Sequence, residues 1–433
     1  MQLSDPSAEP SCTAATLPPN VCAPALSGVT DSPSLIFRVY RDLDDLRQMR
    51  ECAEELSIAY PGASIFSSLD WLVSWWETFH NSQPLMVLAA FDSTSRLAGL
   101  AALYLSEERF LRIVPLRCLR FVGDGTGDSD NLDFVVRPGF EDAFANKLLE
   151  YLREQKGQWN IVRLNTTPAD SPIANRIEQL LRRRQWTSFT GMRDRSSILL
   201  PASWEEYLAT LSSEDGKNIL RYRRRIERRY SLRVYRVSHQ RELPACLEGL
   251  FRLHQLRWQG RGESGTFAGR DRRQFYERLS LRLLASNRLE FWILELNGRI
   301  AAAQFAMRYR NNVYQLQEGY DPVHSSDRVG MVLRAEVLRR LISEGVRIYD
   351  FLGGTDQYKQ RWGASRGQYR DITFATAWSM GSAVLKSAYY GRMMKEWFRL
   401  HLPHGAWRIL HRLKASSERQ LLERASEKPE PTS

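Results

Sequence analysis

One order of elements runs through this sequence twice, and that recurrence constrains the fold more than any single motif does. After a strand-like Leu35–Tyr40, apolar residues at helical spacing (Leu46, Met49, Ala53, Leu56) mark a helix from Asp44 to Ala59. Ser67 or Ser68 caps a second helix, Leu69–Phe79, which carries Trp71, Trp75 and Trp76. Strand-like runs Pro84–Phe91, Leu97–Leu105 and Phe110–Val122 follow, with a short Asn131–Val136 behind them. A helix Phe140–Arg153, a strand Trp159–Leu164, a helix Pro172–Arg184 and an extended Trp186–Leu200 complete the first pass. The second pass opens with helices Leu243–Trp258 and Arg273–Ala285. Strands Leu289–Leu296, Arg299–Tyr309 and Asn312–Gly319, a helix Val329–Ser343 and a strand Arg347–Leu352 come next, and Tyr369–Ala377 closes the unit. Asn297-Gly298 is a hairpin signal, because both residues tolerate positive φ. The two passes match in order and not in identity, at an offset of roughly 190–205 residues, which reads as a duplication.

In each pass a strand–helix–strand step follows three antiparallel strands. That appends a parallel crossover to a hairpin sheet, so the expected fold class is α/β with a mixed sheet, built twice. The expected division is a disordered tail over 1–34, a first domain over 35–200, a basic linker-helix region over 201–240, a second domain over 241–378 and a helical extension and tail over 379–433.

Charge and cysteine usage narrow the setting. Sixty-one Lys and Arg against fifty Asp and Glu give a formal charge of +11, which favours phosphates and anionic surfaces without choosing among them. Cys12, Cys22, Cys52, Cys118 and Cys246 are scattered, with no metal-ligand spacing, so no metal is expected and a reduced interior is favoured. Neither a secretory signal nor a bilayer-length apolar run is present, and the expected location is the cytoplasm, peripheral to the inner membrane face.

Two constellations carry chemistry. The first is Gly319-Tyr320-Asp321-Pro322 followed by Ser325-Ser326-Asp327-Arg328-Val329-Gly330-Met331 at a helix entry. Unpaired N–H groups and partial positive charge at a helix start suit a diphosphate, and Gly330 allows close approach. Arg328, Val329, Gly330 and Met331 are therefore candidate cofactor-binding residues, against the plainer reading that Asp327 caps the helix. The second is Asp350-x2-Gly353-Gly354-x3-Tyr358-Lys359-x2-Trp362-Gly363, a strand end entering a turn. Lys359 places a cation there for a diphosphate or a developing oxyanion, and Asp350, Tyr358, Arg361 and Trp362 are candidate substrate contacts. The plainer reading is a surface loop.

This second segment resembles the CelD (cellulose-biosynthesis) type of acetyltransferase, a GNAT-superfamily branch related to the FemAB peptidyltransferases. Phe66-Ser67-Ser68-Leu69-Asp70-Trp71, Leu253-His254-Gln255-Leu256-Arg257-Trp258 with Phe267, and Gly319-Tyr320-Asp321-Pro322 extend the likeness along the chain. The resemblance implies two tandem GNAT-like domains, the second binding acetyl-CoA or another acyl-CoA, and a lysine at Lys359 that faces phosphates or the reacting carbonyl. The coenzyme pyrophosphate would sit at Arg328–Met331, although Val332 stands where a second glycine is usual. Amine acylation needs a group that takes a proton, and Glu318 is the first candidate, with His254 in reserve and Tyr320 to protonate the leaving thiolate.

The expected function is acyl-CoA-dependent N-acylation of a small-molecule or glycan-precursor amine, with nucleic acid not expected as a partner. Two alternatives stay open: a FemAB-like transferase using aminoacyl-tRNA, and a non-catalytic accessory factor of a polysaccharide machine. The helix Lys217–Arg229, with seven Lys and Arg against Glu227, offers a grip for a phosphorylated acceptor, anionic lipid or RNA, and reads equally well as a solvated face. Beyond Ala377, apolar and basic faces share one helical segment, which either packs on the domain or meets a membrane interface, packing being favoured.

Overall fold

A computed structural model describes residues 34–259 and 265–401. The expected tail over 1–34, Cys12, Cys22 and the segment from residue 402 onward lie outside the described residues, apart from residue 34 itself.

The strands, in chain order, are β1 (Ile36–Tyr40), β2 (Leu85–Phe91), β3 (Leu97–Phe110), β4 (Val114–Phe121), β5 (Val135–Val136), β6 (Ile161–Pro168) and β7 (Thr187–Leu199) in the first half. The second half supplies β8 (Leu232–Arg236), β9 (Leu289–Leu296), β10 (Arg299–Tyr309), β11 (Asn312–Tyr320), β12 (Ile348–Gly353) and β13 (Ser365–Ala375). They form one sheet in the order β1-β2-β3-β4-β6-β13-β7-β12-β11-β10-β9-β8, with β5 pairing β3 to one side. The sheet is thus a mixed one built of two like halves, each with an antiparallel run ending in a parallel pair: β4 with β6, and β11 with β12. The fold is α/β, with the same mixed-sheet unit built twice.

The junction differs from the sequence-based expectation. Tyr369–Ala377 was expected to close the second unit, yet β13 pairs with β6 and β7 of the first half. In return β7 pairs with β12 of the second half. Each half's last strand is exchanged into the other, and both are flanked on two sides, so no open strand edge is left at the seam. Two further differences are local. Phe110 ends β3 and does not begin β4, and Leu232–Arg236, placed in the linker by sequence, is an edge strand antiparallel to β9.

The tryptophan-rich helix Leu69–Phe79 is almost wholly buried, which explains the aromatic density. Its Trp71 meets Phe275 of the helix Arg270–Ala285 edge-to-face at 5.1 Å, so the two halves share one core. Arg278 and Arg282 of that second-half helix donate to the Glu77 carbonyl and to Ser74. A second core lies under the helix Val329–Ser343, where Val332, Leu333, Leu338 and Leu341 pack on Val313 and Tyr349.

Gly319 shows why the strand order needs a glycine at the site. A Cβ there would stand 2.7 Å from the His254 nitrogen and 2.9 Å from the Leu253 carbonyl carbon, so helix Leu243–Gln259 crosses β11 at backbone distance.

Candidate functional site

Both parallel pairs open toward the same place. β11 and β12 pair only from Asn312 opposite Ile348 to Tyr314 opposite Asp350, and β4 and β6 only from Cys118 to Arg120. Past those residues the partners diverge, leaving two wedges whose strand ends face each other across a cleft of about 570 Å³. Strand ends next to a topological break are where α/β sheets hold ligands.

A bulge sets which side chains of β11 face which way. Phe305 pairs with Gln317 but Ala306 with Gln315, so Leu316 is the extra residue. Gln315, Glu318 and Tyr320 consequently share the face toward helix Val329–Ser343, while Gln317 and Gly319 face the helices Leu243–Gln259 and Arg270–Ala285. The hydrogen bonds agree: Gln315 Nε2 donates to Glu318 Oε2 at 3.3 Å, and Gln317 Nε2 donates to Asp128 Oδ1 at 3.3 Å.

That geometry separates two of the sequence candidates. His254 is buried on the Gly319 side, its ring edge-on to Phe267 at 4.9 Å, and lies across the sheet from Glu318. The two do not share one site. Glu318 itself forms an ion pair with Arg334, whose guanidinium is almost fully buried. Three rings surround that guanidinium: Phe351 and Tyr358 at 5.3 Å, and Trp362 at 5.5 Å. Tyr358 and Trp362 of the aromatic motif therefore box a cation of the protein itself. Sequence reasoning did not single out Arg334, because an arginine inside an amphipathic helix reads as a surface residue.

Lys359 differs from its expected role as a mobile cation. It is buried, and Nζ donates to three backbone carbonyls, of Gly353 at 2.5 Å, Gly354 at 3.2 Å and Phe351 at 3.3 Å. Burial pushes its pKa down, with the Asp356 carboxylate the largest opposing influence. The lysine thus pins the end of β12. Asp350 is buried too, accepting from the Leu352 N–H at 2.8 Å with Arg195 3.9 Å away, and burial pushes its pKa up. This turn holds Leu352 at φ 62, a left-handed conformation that costs a branched residue roughly 1–2 kcal/mol and is tolerated where surrounding contacts impose it. Arg361 is exposed on the short helix Gln357–Arg361.

The helix entry at Arg328–Met331 has the uncapped first turn that the sequence reading called for. Arg328 is the N-cap residue, left-handed at φ 58, and no side chain caps the first turn. Asp327 does not cap it either. Its carboxylate accepts from Arg229 at 2.9 Å and the Tyr230 hydroxyl at 3.0 Å, with Arg225 at 3.3 Å. Val329 is buried, Met331 half-buried, and Tyr320 rests against Gly330, where a Cβ would meet its ring at 3.3 Å. The basic helix Ser213–Arg229 delivers Arg221 and Tyr222 to this corner, and the Arg221 guanidinium, with Arg328 adding to it, holds the Tyr222 phenol below its usual range.

The counterpart in the first half is different in charge. Its helix Glu141–Glu154 carries Glu141 and Asp142 in the first turn, which repel an anion, whereas Val329–Ser343 carries no acidic residue in its first turn. By charge alone, the second helix start suits an anion better than the first.

The cleft between the wedges holds residues that sequence reasoning missed. Its lining includes Arg120, Asp124, Asp128, Asp130, Arg193 and Gln315. Asp130 comes from the first half, yet its Oδ2 accepts the Gly353 N–H of the second at 2.9 Å. Burial, with Asp350 adding repulsion, pushes the Asp130 carboxyl up to about 6. Asp128 is fully enclosed and accepts from Tyr276 at 3.2 Å, with Arg272 3.3 Å away. The only sequence signal for these was the Gly- and Asp-rich run Gly123–Asp130, which reads as an ordinary loop. Among the described residues no group of histidine, cysteine and carboxylate side chains could hold a metal ion, and no helix is long and apolar enough to cross a membrane.

Comparison with known proteins bears on the fold. Residues 213–360 match the family described as acetyltransferase (GNAT) domain. The fold is similar to the crystal structure of FemX, with a TM-score of 0.56 at 10% identity, over 82% of this chain and 99% of that one. It is also similar to a conserved protein of unknown function from Bacteroides thetaiotaomicron VPI-5482, with a TM-score of 0.52 at 14% identity, over 79% of this chain and 100% of that one. No curated protein matches the sequence.

Proposed function

Because the chain carries a GNAT acetyltransferase domain, we propose that it is an acyl-CoA-dependent N-acyltransferase whose donor sits in the second half and whose acceptor amine enters from the first. The observation that supports this division is the contrast between the two helix starts, one acidic and one flanked by Arg328 and Arg221. The assignment divides the chain at the basic helix, with β7 and β13 exchanged between the halves, and that helix forms a wall of the donor corner.

In the proposed reaction the acceptor nitrogen forms a bond to the thioester carbonyl carbon as the C–S bond breaks. Asp130, in the lining of the cleft, takes the proton that the amine loses, and Tyr320 supplies one to the departing thiolate. Arg120, Asp124, Arg193 and Gln315 offer charged and amide groups that suit a polar, hydroxyl-rich acceptor such as an amino sugar or a nucleotide-linked precursor. Glu318 holds Arg334 in place, which leaves Asp130 as the stronger candidate for proton transfer.

Thermal denaturation with acetyl-CoA tests the reading. A ligand that binds only the folded chain at a hundredfold excess over its Kd stabilises it by about 2.7 kcal/mol, and the shift should vanish in Arg328→Glu. Absence of a shift with any acyl-CoA, together with retention of aminoacyl-tRNA, would move the assignment to the FemAB-like alternative. Absence of both would leave the accessory reading.

A further inference from the structure

The last described helix, Met380–His401, is anchored to the body at its start. A Cβ on Gly381 would collide with the Asn160 carbonyl, Ser382 bonds Thr187 at 2.6 Å, Leu385 is buried, and the Tyr389 ring stacks on Phe189 at 4.5 Å. From Tyr390 to Leu400 every side chain that the structure describes is exposed. That length is about 15 Å of helix at 1.5 Å per residue.

The exposed part is amphipathic in sequence. Tyr390, Met393, Trp397 and Leu400 recur at spacings of three and four, so they form one stripe, with Met394 at its margin. Arg392, Lys395 and Arg399 recur in the same way on the opposite side. Across the whole helix Lys386, Arg392, Lys395 and Arg399 face a single acid, Glu396. An apolar stripe opposite a charged face, left in water, calls for a surface to pack against.

A second observation lies at the root of the helix. Trp378 is 99% exposed and left-handed at φ 56, an unfavourable backbone for a bulky residue that buries nothing in the fold. The Lys386 ammonium stands 5.8 Å from its ring centre, and Lys386 leads directly into the line of Tyr390, Met393 and Trp397. The indole therefore extends the same face.

We propose that Trp378 and helix Met380–His401 form a docking element for an anionic bilayer surface. The stripe lies among the upper acyl chains, and the long basic side chains reach the phosphate layer. Sign and composition select this occupant. The sequence that follows is itself basic and apolar, with Trp407, Ile409, Leu410 and Leu413 beside Arg408, Arg412 and Lys414, so its charge does not complement that of the helix. Docking at this helix needs no donor or acceptor, so it stands apart from the acyl-transfer proposal.

Flotation of the full chain with vesicles of phosphatidylglycerol and phosphatidylcholine, against phosphatidylcholine alone, tests it. Binding should require the anionic lipid and weaken as salt is raised. Replacing Arg392, Lys395 and Arg399 together by Gln should lower it on the order of a hundredfold. Met393→Glu with Leu400→Glu should abolish it while leaving the melting temperature unchanged, since both sites are exposed. Failure to float with anionic vesicles, or flotation indifferent to that pair, overturns the proposal. A dimer in light scattering that the same pair dissociates would assign the face to a second copy instead.

Discussion

The carboxylate of Asp130 accepts the backbone N–H of Gly353 at 2.9 Å, which fastens a loop of the first half to the end of β12 in the second. The bond places an acid whose pKa is pushed up to about 6 beside the wedge where β11 and β12 part. Neither half contains this arrangement alone.

Asp130→Asn should lower turnover by about 10²–10⁴, the usual worth of a positioned proton acceptor. The wild-type rate should rise with pH through about 6 as the carboxylate ionises, and the variant should lose that limb. The effect on folding runs the other way. A carboxyl whose folded pKa lies above its unfolded value favours the folded state while protonated, and that contribution fades as pH rises through 4 to 6. Asp130→Asn should therefore melt no lower than wild type at pH 7. A variant that lost activity and stability together would make Asp130 a structural residue only.

Lys359→Met keeps the stem and removes the donor to three carbonyls. Loss of those bonds should cost roughly 2–4 kcal/mol in urea unfolding. A substitution that lowered kcat with no change in unfolding would return Lys359 to the role of a free cation.

Glu318→Gln should cost about 3 kcal/mol, because it leaves the Arg334 guanidinium buried without its counter-charge. Glu318→Gln with Arg334→Met should recover part of that loss, a coupling that a double-mutant cycle measures directly. Activity in the stabilised double variant would exclude Glu318 as the proton acceptor, and its abolition there, with the fold intact, would restore it.

Gly319→Ala drives a methyl into the backbone of the crossing helix and should cost roughly 2–3 kcal/mol, read as a lower urea midpoint. No change would mean that helix Leu243–Gln259 is free to move from β11.

Much of the frame was legible in the sequence because it is local. Helix Leu69–Phe79 and strands β9 and β10 announce themselves through apolar spacing, a serine cap and Asn297-Gly298. The helix start behind β11 was legible as well, since Gly330 follows a strand end and opens a helix. The motif from Asp350 to Gly363 was recognisable in spelling and misread in purpose: its lysine and rings serve carbonyls and an arginine of the protein, and those partners lie on other elements. Asp130 was invisible for a related reason. Its raised pKa comes from burial in the folded chain, with Asp350 of the opposite half adding to it, and no spacing in the chain encodes that. The exchange of β7 and β13 was hidden too, because either strand reads equally well as the end of its own half.

That exchange fixes an order of events while the chain is being made. The edge of β6 finds its proper neighbour only in Ser365–Ala375, which is translated after nearly all of the second half. At common synthesis rates the edge stays open for on the order of ten to forty seconds, long enough for a foreign strand to occupy it. The first half is thus a provisional structure until the last strand arrives, and a ribosome that stalls before Ser365 leaves a fragment that should be insoluble without a chaperone holding that seam.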